Sequence, residues 1–248
     1  MSYHALANWY DKLMEHVPYD QWIQFTESKI QKHEIAGKKI VDLGSGTGEI
    51  AIRLAEKGYD VTAVDLSEEM LMVGMDKALK KQLHIQWIKQ NIVQLEGFQH
   101  IDVFVSYLDV LNYITDVKDL EKLFMRVFEA LNPNGLFMFD IHHLPFMETD
   151  RGNQTFVDES DDIMYIWECQ KNTPRGRYMH YLTFFLKQSD GMYKRYEEVH
   201  EQQVFPIEIY RDLLQAVGFS KITILPNILD ENSILDDENE RNFIIAQK

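Results

Sequence analysis

The sequence predicts an α/β fold, a doubly wound and mostly parallel sheet covered by helices, and three observations lead to this prediction. Between residues 39 and 141, short apolar stretches alternate with amphipathic helical stretches. The apolar stretches contain few polar residues, which is typical of strands buried on both faces in a parallel sheet. After about residue 150, long aromatic-rich stretches follow one another without an intervening helix. The sequence therefore predicts an α/β core that carries a small antiparallel β insertion.

The elements of the core can be placed in chain order. Two amphipathic helices, at 3–16 and 19–34, are separated by Pro18. Gly58 is expected to end the third helix, and Ser67 to cap the fourth. The predicted strands are 39–43, 60–64, 84–88, 101–107 and 136–141, and the helices among them are 49–56, 67–81 and 117–131. A turn at Asn132–Gly135 precedes the fifth strand.

The second half of the chain predicts antiparallel hairpins. Turn residues at Pro174–Gly176 and Asp190–Gly191 separate the three stretches 154–170, 177–188 and 192–204. The chain closes with a helix at 206–217, strands at 219–225 and 241–246, and between those strands an acidic loop containing Asp230, Glu231, Asp236, Asp237, Glu238 and Glu240. We therefore expect four regions: N-terminal helices (1–36), a cofactor-binding core (37–150), the β insertion (151–205) and the remainder of the core sheet (206–248).

Composition excludes several classes of protein. The 248 residues are 45% hydrophobic, which argues against disorder, and the net charge of −15 argues against a nucleic-acid partner. Cys169 is the only cysteine, so no intrachain disulfide can form and a zinc cluster is not expected. The N-terminus has no leader pattern, and no run approaches the roughly 18 apolar residues of a spanning helix. We expect a cytoplasmic protein with no metal and no membrane association.

A glycine-rich turn links the first core strand to its helix. Gly44, Gly46 and Gly48 allow the backbone to turn sharply and let a ligand approach the main-chain N–H groups. Asp65 follows the next strand, at a spacing that suits an acid accepting hydrogen bonds from both ribose hydroxyls. The order of strand, turn, helix, strand and acid predicts a nucleoside cofactor.

The charges beside this turn indicate which nucleoside cofactor binds. Asp42 precedes the turn and Glu49 opens the helix, and their carboxylates would repel the pyrophosphate of a dinucleotide. The third glycine also comes one residue early for the dinucleotide pattern. S-adenosylmethionine (SAM) carries a sulfonium and an ammonium group but no phosphate, so nearby carboxylates attract it. The pattern favours SAM.

The chain resembles the class I SAM-dependent methyltransferases, especially the bacterial small-molecule type, over about residues 5–145. The similar motifs are VDLGSGTG at 41–48, AVDLSEEML at 63–71, the stretch from Ser106 to Tyr113 and the turn and strand at 132–140. The resemblance implies a Rossmann-like sheet of seven strands with its last strand antiparallel. It implies Asp65 as the ribose ligand, and Asn91 in place of the acid that usually contacts the adenine. The expected cofactor-binding residues are Tyr10, Asp42, Gly44, Ser45, Gly46, Gly48, Asp65, Leu66, Met70, Asn91, Ile92 and Ser106.

The catalytic candidates follow strands four and five, whose carboxyl ends should face the cofactor. His142 and His143 are candidates for a general base, and the alternative is that they are loop histidines without a chemical role. Asp109 and Tyr113 could orient an acceptor, and Tyr113 could instead pack on the adenine. The aromatic residues of the insertion could form its packing face, an acceptor wall or a homodimer interface.

The leading hypothesis is an enzyme that transfers a methyl group from SAM to an N or O atom of a small molecule. Two alternatives stay open, a methyltransferase acting on protein or RNA, and a non-catalytic SAM-binding protein. The acidic residues Asp158, Glu159, Asp161 and Asp162 would suit an amine acceptor, and a solvated turn explains them equally well.

Overall fold

The computed structural model describes residues 7–160, 162–228 and 239–248. Within these residues the helices are α1 (Ala7–Leu13), α2 (Tyr19–Lys32), α3 (Glu49–Glu56), α4 (Glu68–Lys80), α5 (Val117–Ala130), the short α6 (Leu144–Phe146) and α7 (Ile207–Val217). The strands are β1 (Lys39–Leu43), β2 (Asp60–Asp65), β3 (Gln86–Lys89), β4 (Ile101–Ser106), β5 (Leu131–His142), β6 (Thr155–Glu159), β7 (Ile163–Asn172), β8 (Arg177–Lys187), β9 (Tyr193–Gln203), β10 (Lys221–Leu225) and β11 (Arg241–Gln247). In this part of the chain no helix is long and apolar enough to cross a membrane.

The large sheet has seven strands in the order β3-β2-β1-β4-β5-β11-β10. β1 lies parallel between β2 and β4, with Ile40 opposite Val61 on one side and Val103 on the other. β11 runs antiparallel to both of its neighbours, β5 and β10. The chain winds outward from β1 to β3 and then returns to β4, so the strand order reverses between β1 and β4. This arrangement confirms the predicted fold class and places a crevice at the carboxyl ends of β1 and β4.

Both faces of the large sheet are covered by apolar side chains. One cluster contains Phe124 of α5, Phe139 of β5 and Leu214 of α7. The opposite cluster contains Trp22 of α2 and Leu54 of α3. Two-sided burial explains why the core strands are continuous apolar runs, since each residue faces one covered layer or the other.

The four-stranded sheet, β6-β7-β8-β9, is antiparallel throughout and separate from the large sheet. The aromatic-rich stretch at 154–170 contains two strands, β6 and β7, and the turn between them was not predicted. β6 and β7 pair antiparallel, with Thr155 opposite Glu168, and Ser160 N–H donates to the carbonyl oxygen of Ile163 at the turn. The turn falls in a run of polar residues without glycine or proline, which are the usual markers of a tight turn.

A second difference concerns the turn predicted at Asn132–Gly135. That segment lies within β5, which begins at Leu131 opposite Ile101. The register shifts before the next pair, Val103 and Leu136, so the extra residues form an irregularity in the strand. Predictions for residues 3–6, for Asp161 and for the acidic loop residues Asp230, Glu231, Asp236, Asp237 and Glu238 lie outside the described residues.

Candidate active site

The glycine-rich loop leaves β1 and enters α3 at the crevice. The N–H groups of Gly44 and Ser45 both donate to the carbonyl oxygen of Val64, at 2.8 and 3.0 Å, which fixes the turn against β2. Gly44 has a φ of +74°, and a Cβ there would lie 2.4 Å from a methyl group of Val110. Gly46, with a φ of +53°, has open space where a Cβ would be. The loop is therefore rigid at its base and open at its middle, as a ligand cradle requires.

Gly48 serves packing as well as the turn. A Cβ on Gly48 would meet the Trp87 ring at 2.4 Å, and a Cβ on Gly74 of α4 would meet the same ring at 2.5 Å. The Trp87 indole thus lies between the start of α3 and the middle of α4. We predicted only a cofactor contact for Gly48, because nothing local in the sequence connects residues 48, 74 and 87.

The Asp65 carboxylate lies at the end of β2, next to the loop. Its Oδ2 accepts the Gly46 N–H at 2.7 Å, and its Oδ1 accepts the Ser67 N–H at 2.8 Å. Burial raises the pKa of Asp65, while N–H groups of Ser67, Gly46 and Leu66 oppose that rise. Each oxygen keeps a further lone pair for a ligand. Beside this carboxylate, Leu66 is 66% exposed whereas Met70 is buried.

Asp42 is a buried carboxylate with an unsatisfied oxygen. It is 2% exposed, and its Oδ2 has no hydrogen-bond partner among the described residues. Burial, reinforced by the charge of Asp65, raises the pKa of Asp42 to about 7, although the Ala51 N–H opposes the shift. The hydroxyl oxygen of Ser45 is also unpartnered there. A buried acceptor without a donor is costly, so this position fits a ligand that brings a cationic donor.

Glu49, the other carboxylate beside the loop, is held by cations of the protein. Lys77 contacts its Oε1 at 2.5 Å, and Arg53 hydrogen-bonds its Oε2. Burial works to raise the pKa of Glu49, but Lys77 and Arg53 outweigh it and lower the pKa. Asp42, and not Glu49, is therefore the carboxyl group at the loop that lacks a cationic partner among the described residues.

The other expected cofactor residues lie at the ends of neighbouring strands. Asn91 caps the short 3-10 turn that begins at Ile92, and its Oδ1 accepts the Val93 N–H at 3.0 Å. The buried Ser106 hydroxyl donates to the carbonyl oxygen of Leu43 at 2.8 Å, so its side chain joins β4 to β1. Ser106 can therefore offer a ligand its main chain more readily than its hydroxyl.

Helix α1 lies across the crevice. Asp11 accepts the Thr47 hydroxyl at 2.5 Å and contacts Lys77 at 2.7 Å, which anchors α1 to the glycine loop and to α4. Burial raises the pKa of Tyr10 to about 12, with further contributions from the charges of Asp109, Asp65, Asp11 and Glu198. The Tyr10 phenol therefore lies among carboxylates from the core and from the small sheet.

Asp109 and His142 form a pair at the ends of β4 and β5. His142 Nε2 lies 3.1 Å from Asp109 Oδ2, and His142 Nδ1 is buried with no partner among the described residues. Asp109 has a φ of +64°, a left-handed conformation uncommon outside glycine. The pair has the geometry in which a carboxylate orients an imidazole and stabilises its protonated form.

Arg241, the first residue of β11, binds both carboxylates at this place. Its guanidinium contacts Asp109 by two nitrogens and Asp140 Oδ2 at 2.5 Å. Asp140 also accepts the Leu108 N–H at 2.7 Å, which supports the strained turn. Burial works to raise the pKa of Asp109, but Arg241 and His142 outweigh it and lower the pKa. Arg241 was not predicted from the sequence, because an arginine at a strand start has no distinguishing local pattern.

His143 and Tyr113 lie on different sides of this pair. Nδ1 of His143 is 2.9 Å from the Asn242 side-chain nitrogen, so His143 contacts β11. Tyr113 is 47% exposed, and its ring packs edge-on against His200 of β9 at a centroid distance of 5.8 Å. Of the four catalytic candidates, the structure joins Asp109 to His142 and turns Tyr113 toward the small sheet.

The inner face of the small sheet brings further polar residues to the crevice. Trp167 Nε1–H donates to His180 Nδ1 at 3.0 Å, and Glu198 Oε2 lies 3.0 Å from His200 Nε2. Burial and the charges of His142 and His200 lower the pKa of His180 to about 4. None of these residues was predicted from the sequence. The signal in the sequence was that His180, Glu198 and His200 share one face of their strands with apolar residues.

Comparison with known proteins shows which family the chain is similar to. A methyltransferase domain family matches residues 40–135. Over its full length the chain is 38% identical to a protein of Geobacillus sp. (strain WCH70) named as a methyltransferase, with 100% of both chains covered. It is 36% identical to YqeM of Bacillus subtilis (strain 168), also named as a methyltransferase, over 100% of this chain and 98% of YqeM.

Solved structures agree with the sequence relatives. The SAM-dependent methyltransferase from Clostridium acetobutylicum ATCC 824 superposes with a TM-score of 0.89 at 29% identity, over 99% of this chain and 98% of that one. The sugar N-methyltransferase KedS8 from Streptoalloteichus sp. ATCC 53650 shares the fold, with a TM-score of 0.78 at 16% identity over 96% and 92% of the two chains. The chain therefore belongs to the SAM-dependent methyltransferase family.

Proposed function

We propose that this methyltransferase transfers the methyl group of SAM to an N or O atom of a small molecule held between the two sheets. The observation that carries the proposal is the convergence of charged groups from both sheets on one crevice. The charges of Asp65 and Asp109 in the core and of Glu198 in the small sheet all raise the pKa of Tyr10. The pKa of His180 in the small sheet responds to His142 of the core.

The residues at the glycine loop suit SAM. The Asp65 carboxylate has lone pairs for the ribose hydroxyls, and the exposed Leu66 side chain offers an apolar surface for the adenine. The unpartnered Asp42 oxygen and the Tyr10 region suit the cationic amino-acid part of the cofactor. When bound, SAM supplies a methyl group made electrophilic by its sulfonium. The protein then has to exclude water, align the acceptor and, where the acceptor carries a proton, remove it.

A small acceptor suits the enclosure of the crevice better than a macromolecule does. Trp9 and Leu13 of α1 pack against an apolar cluster of the small sheet, and Lys12 pairs with Asp162 at 2.7 Å. Helix α1 therefore bridges the glycine loop and the small sheet.

The region boundaries at residues 36, 150 and 205 remain our proposal, and the separate four-stranded sheet supports the last two.

The general base in this proposal is His142. Its Nε2 is oriented by Asp109, and its Nδ1 is an unused acceptor in the neutral ring. His143 is the weaker candidate because its Nδ1 contacts Asn242.

The proposal is tested by following a labelled methyl group from SAM. With an extract of the source cell separated into metabolites, protein and RNA, label is expected in the metabolite fraction. His142→Asn is expected to slow this transfer about a hundredfold or more, while the affinity for SAM stays near that of the wild type. His143→Asn is expected to have a much smaller effect. Label only in protein or RNA would contradict the small-molecule proposal, and no transfer with intact SAM binding would favour a non-catalytic role.

The raised pKa of Asp42 predicts a pH dependence of SAM binding. The folded protein holds this proton up to about pH 7, so the carboxylate ionises, and attracts the cationic cofactor, only as the pH rises through that value. Calorimetry is expected to show SAM affinity increasing from about pH 6 to about pH 8, and the stability of the ligand-free protein falling from about pH 4 to about pH 7. Asp42→Asn is expected to weaken both trends, and Asp60→Asn at the exposed start of β2 should keep them. An unchanged slope in Asp42→Asn would place the cation elsewhere.

A further inference from the structure

The inner face of the small sheet is apolar at both ends. At one end Cys169 and Tyr178 pack against Leu144 and Met147, and all four are buried. At the other end the buried cluster is Ile163, Phe184 and Leu186, and Trp9 and Leu13 of α1 pack against it. These two clusters hold the sheet against the core on either side of its middle rows.

The middle rows of the same face are polar. His180 pairs with His200 and Leu182 pairs with Glu198 in the β8–β9 register, and residues two apart on a strand share a face. His180 is 4% exposed, and the side chains of Glu198 and His200 are 11% and 12% exposed. Polar groups enclosed between two apolar clusters are costly unless they have partners. The partners of these polar groups therefore decide what the middle rows can do beyond packing.

The hydrogen bonds of these residues determine what they can offer. The Trp167 indole is only a donor, so His180 Nδ1 accepts and the proton of the neutral ring lies on Nε2. The pKa of about 4 keeps this ring neutral near pH 7. A side-chain hydrogen bond with Gln202 opposes the shift, so the Gln202 amide lies beside the His180 ring, although neither His180 Nε2 nor Gln202 Oε1 has a partner of normal geometry among the described residues. A ligand that accepts from His180 Nε2–H therefore replaces a poorly aligned contact with Gln202.

The charge of this region selects among ligands. Glu198 contributes a carboxylate that acts on the Tyr10 phenol and contacts His200. Two arginines at this edge are already engaged, Arg241 by Asp109 and Asp140, and Arg177 by Glu201 at 3.4 Å. A third guanidinium, that of Arg151, lies over the Phe156 and Trp167 rings on the β6–β7 side of the sheet. At Glu198 itself an ammonium group would meet an opposite charge.

We infer that the acceptor is a small amine, methylated on nitrogen, and that Glu198 and the neutral His180 form its binding subsite. The inference rests on the function proposed above. The ammonium group binds Glu198, and His180 Nε2–H donates to a polar atom of the acceptor. One ammonium proton passes to the His142 imidazole, which Asp109 stabilises. The nitrogen lone pair then forms the bond to the methyl carbon as the carbon–sulfur bond breaks, and that electron pair stays on sulfur. The products are an N-methylammonium and S-adenosylhomocysteine.

The first experiment tests the acceptor class. One portion of a metabolite extract from the source cell is treated with acetic anhydride to block its amines. A second portion, the mock treatment, receives acetic anhydride that has already been quenched. The enzyme is then given each portion together with labelled SAM. Mock-treated extract is expected to accept label and acetylated extract to lose nearly all acceptance, with mass spectrometry placing the methyl on nitrogen. Equal labelling of both portions, or a methyl on oxygen, would overturn the inference while the proposed function stands. The absence of any labelled metabolite from the mock-treated portion would refute both.

The second experiment tests the subsite with a matched pair of variants. Glu198→Gln keeps the side-chain shape and removes the charge. The variant enzyme is expected to need at least about tenfold more extract than the wild type to reach half-maximal methyl transfer. Glu197→Gln is its control, because Glu197 is the next residue on β9, is exposed, and faces away from the crevice beside Arg195. SAM affinity by calorimetry is expected to stay within about twofold in both. Identical behaviour of the two variants toward the extract would remove Glu198 from the acceptor site.

Discussion

Replacing Arg241 by methionine is expected to destabilise the protein by about 3–5 kcal/mol, because it leaves two buried carboxylates without their counterion. Arg241 binds Asp109 and Asp140 at once, and Asp140 is fully buried. Urea unfolding at neutral pH gives this free energy. Arg195→Met is the control, since the Arg195–Glu197 pair is exposed and should contribute less than about 1 kcal/mol.

The loss of unfolding free energy in Arg241→Met should depend on pH if it comes from the missing counterion, and not if it comes from lost packing. Without the guanidinium, the pKa values of Asp109 and Asp140 should both rise, since burial raises them and Arg241 is the cation that opposes burial. The deficit should therefore be largest at neutral pH and shrink as the pH falls to about 5 and the carboxylates take up protons. A deficit of equal size at both pH values would mean that the arginine stem, rather than its charge, stabilises the fold.

The second large effect is expected at Asp65. Asp65→Ala removes two charge-assisted ribose contacts of about 1.5–3 kcal/mol each, so SAM should bind at least about tenfold more weakly. Asp65→Asn should lie between alanine and the wild type, because one amide oxygen can still accept. Asp60→Ala, at the exposed beginning of the same strand, should bind SAM normally. Calorimetry measures each affinity, and melting curves without ligand establish that the variants are folded.

Part of the Asp65 effect should come from the loop itself. The carboxylate already accepts the N–H groups of Gly46 and Ser67, so its removal also frees the middle of the glycine loop. Faster amide hydrogen exchange at Gly46 in Asp65→Ala, absent from Asp65→Asn, would reveal this contribution. Wild-type affinity for SAM in Asp65→Ala would place the ribose contact on another residue.

Local sequence pattern was enough to predict the large sheet and the glycine-rich turn after its first strand. Continuous apolar runs predicted β1 to β5, and the structure places Asp65 against the turn at Gly44–Gly48, where the binding of a nucleoside stays a prediction. Such features depend on neighbours within about one turn or one strand, and so they are present in any short window of the chain. The same reasoning failed at the turn between β6 and β7, where no glycine or proline interrupts the polar run.

Contacts between distant residues were decided only by the tertiary structure. The Arg241–Asp109 pair joins residues 132 positions apart, and the pairing of His180 with His200 brings two histidines onto one inner face. Alternation along a strand shows that two faces differ but not which face meets the crevice, because that depends on how the insertion packs against α1 and α6. The sequence by itself therefore determined the fold class and the methyl donor. The packing of the small sheet determined which of its polar groups face the core, since a buried charge acquires its chemistry from partners that only folding brings near.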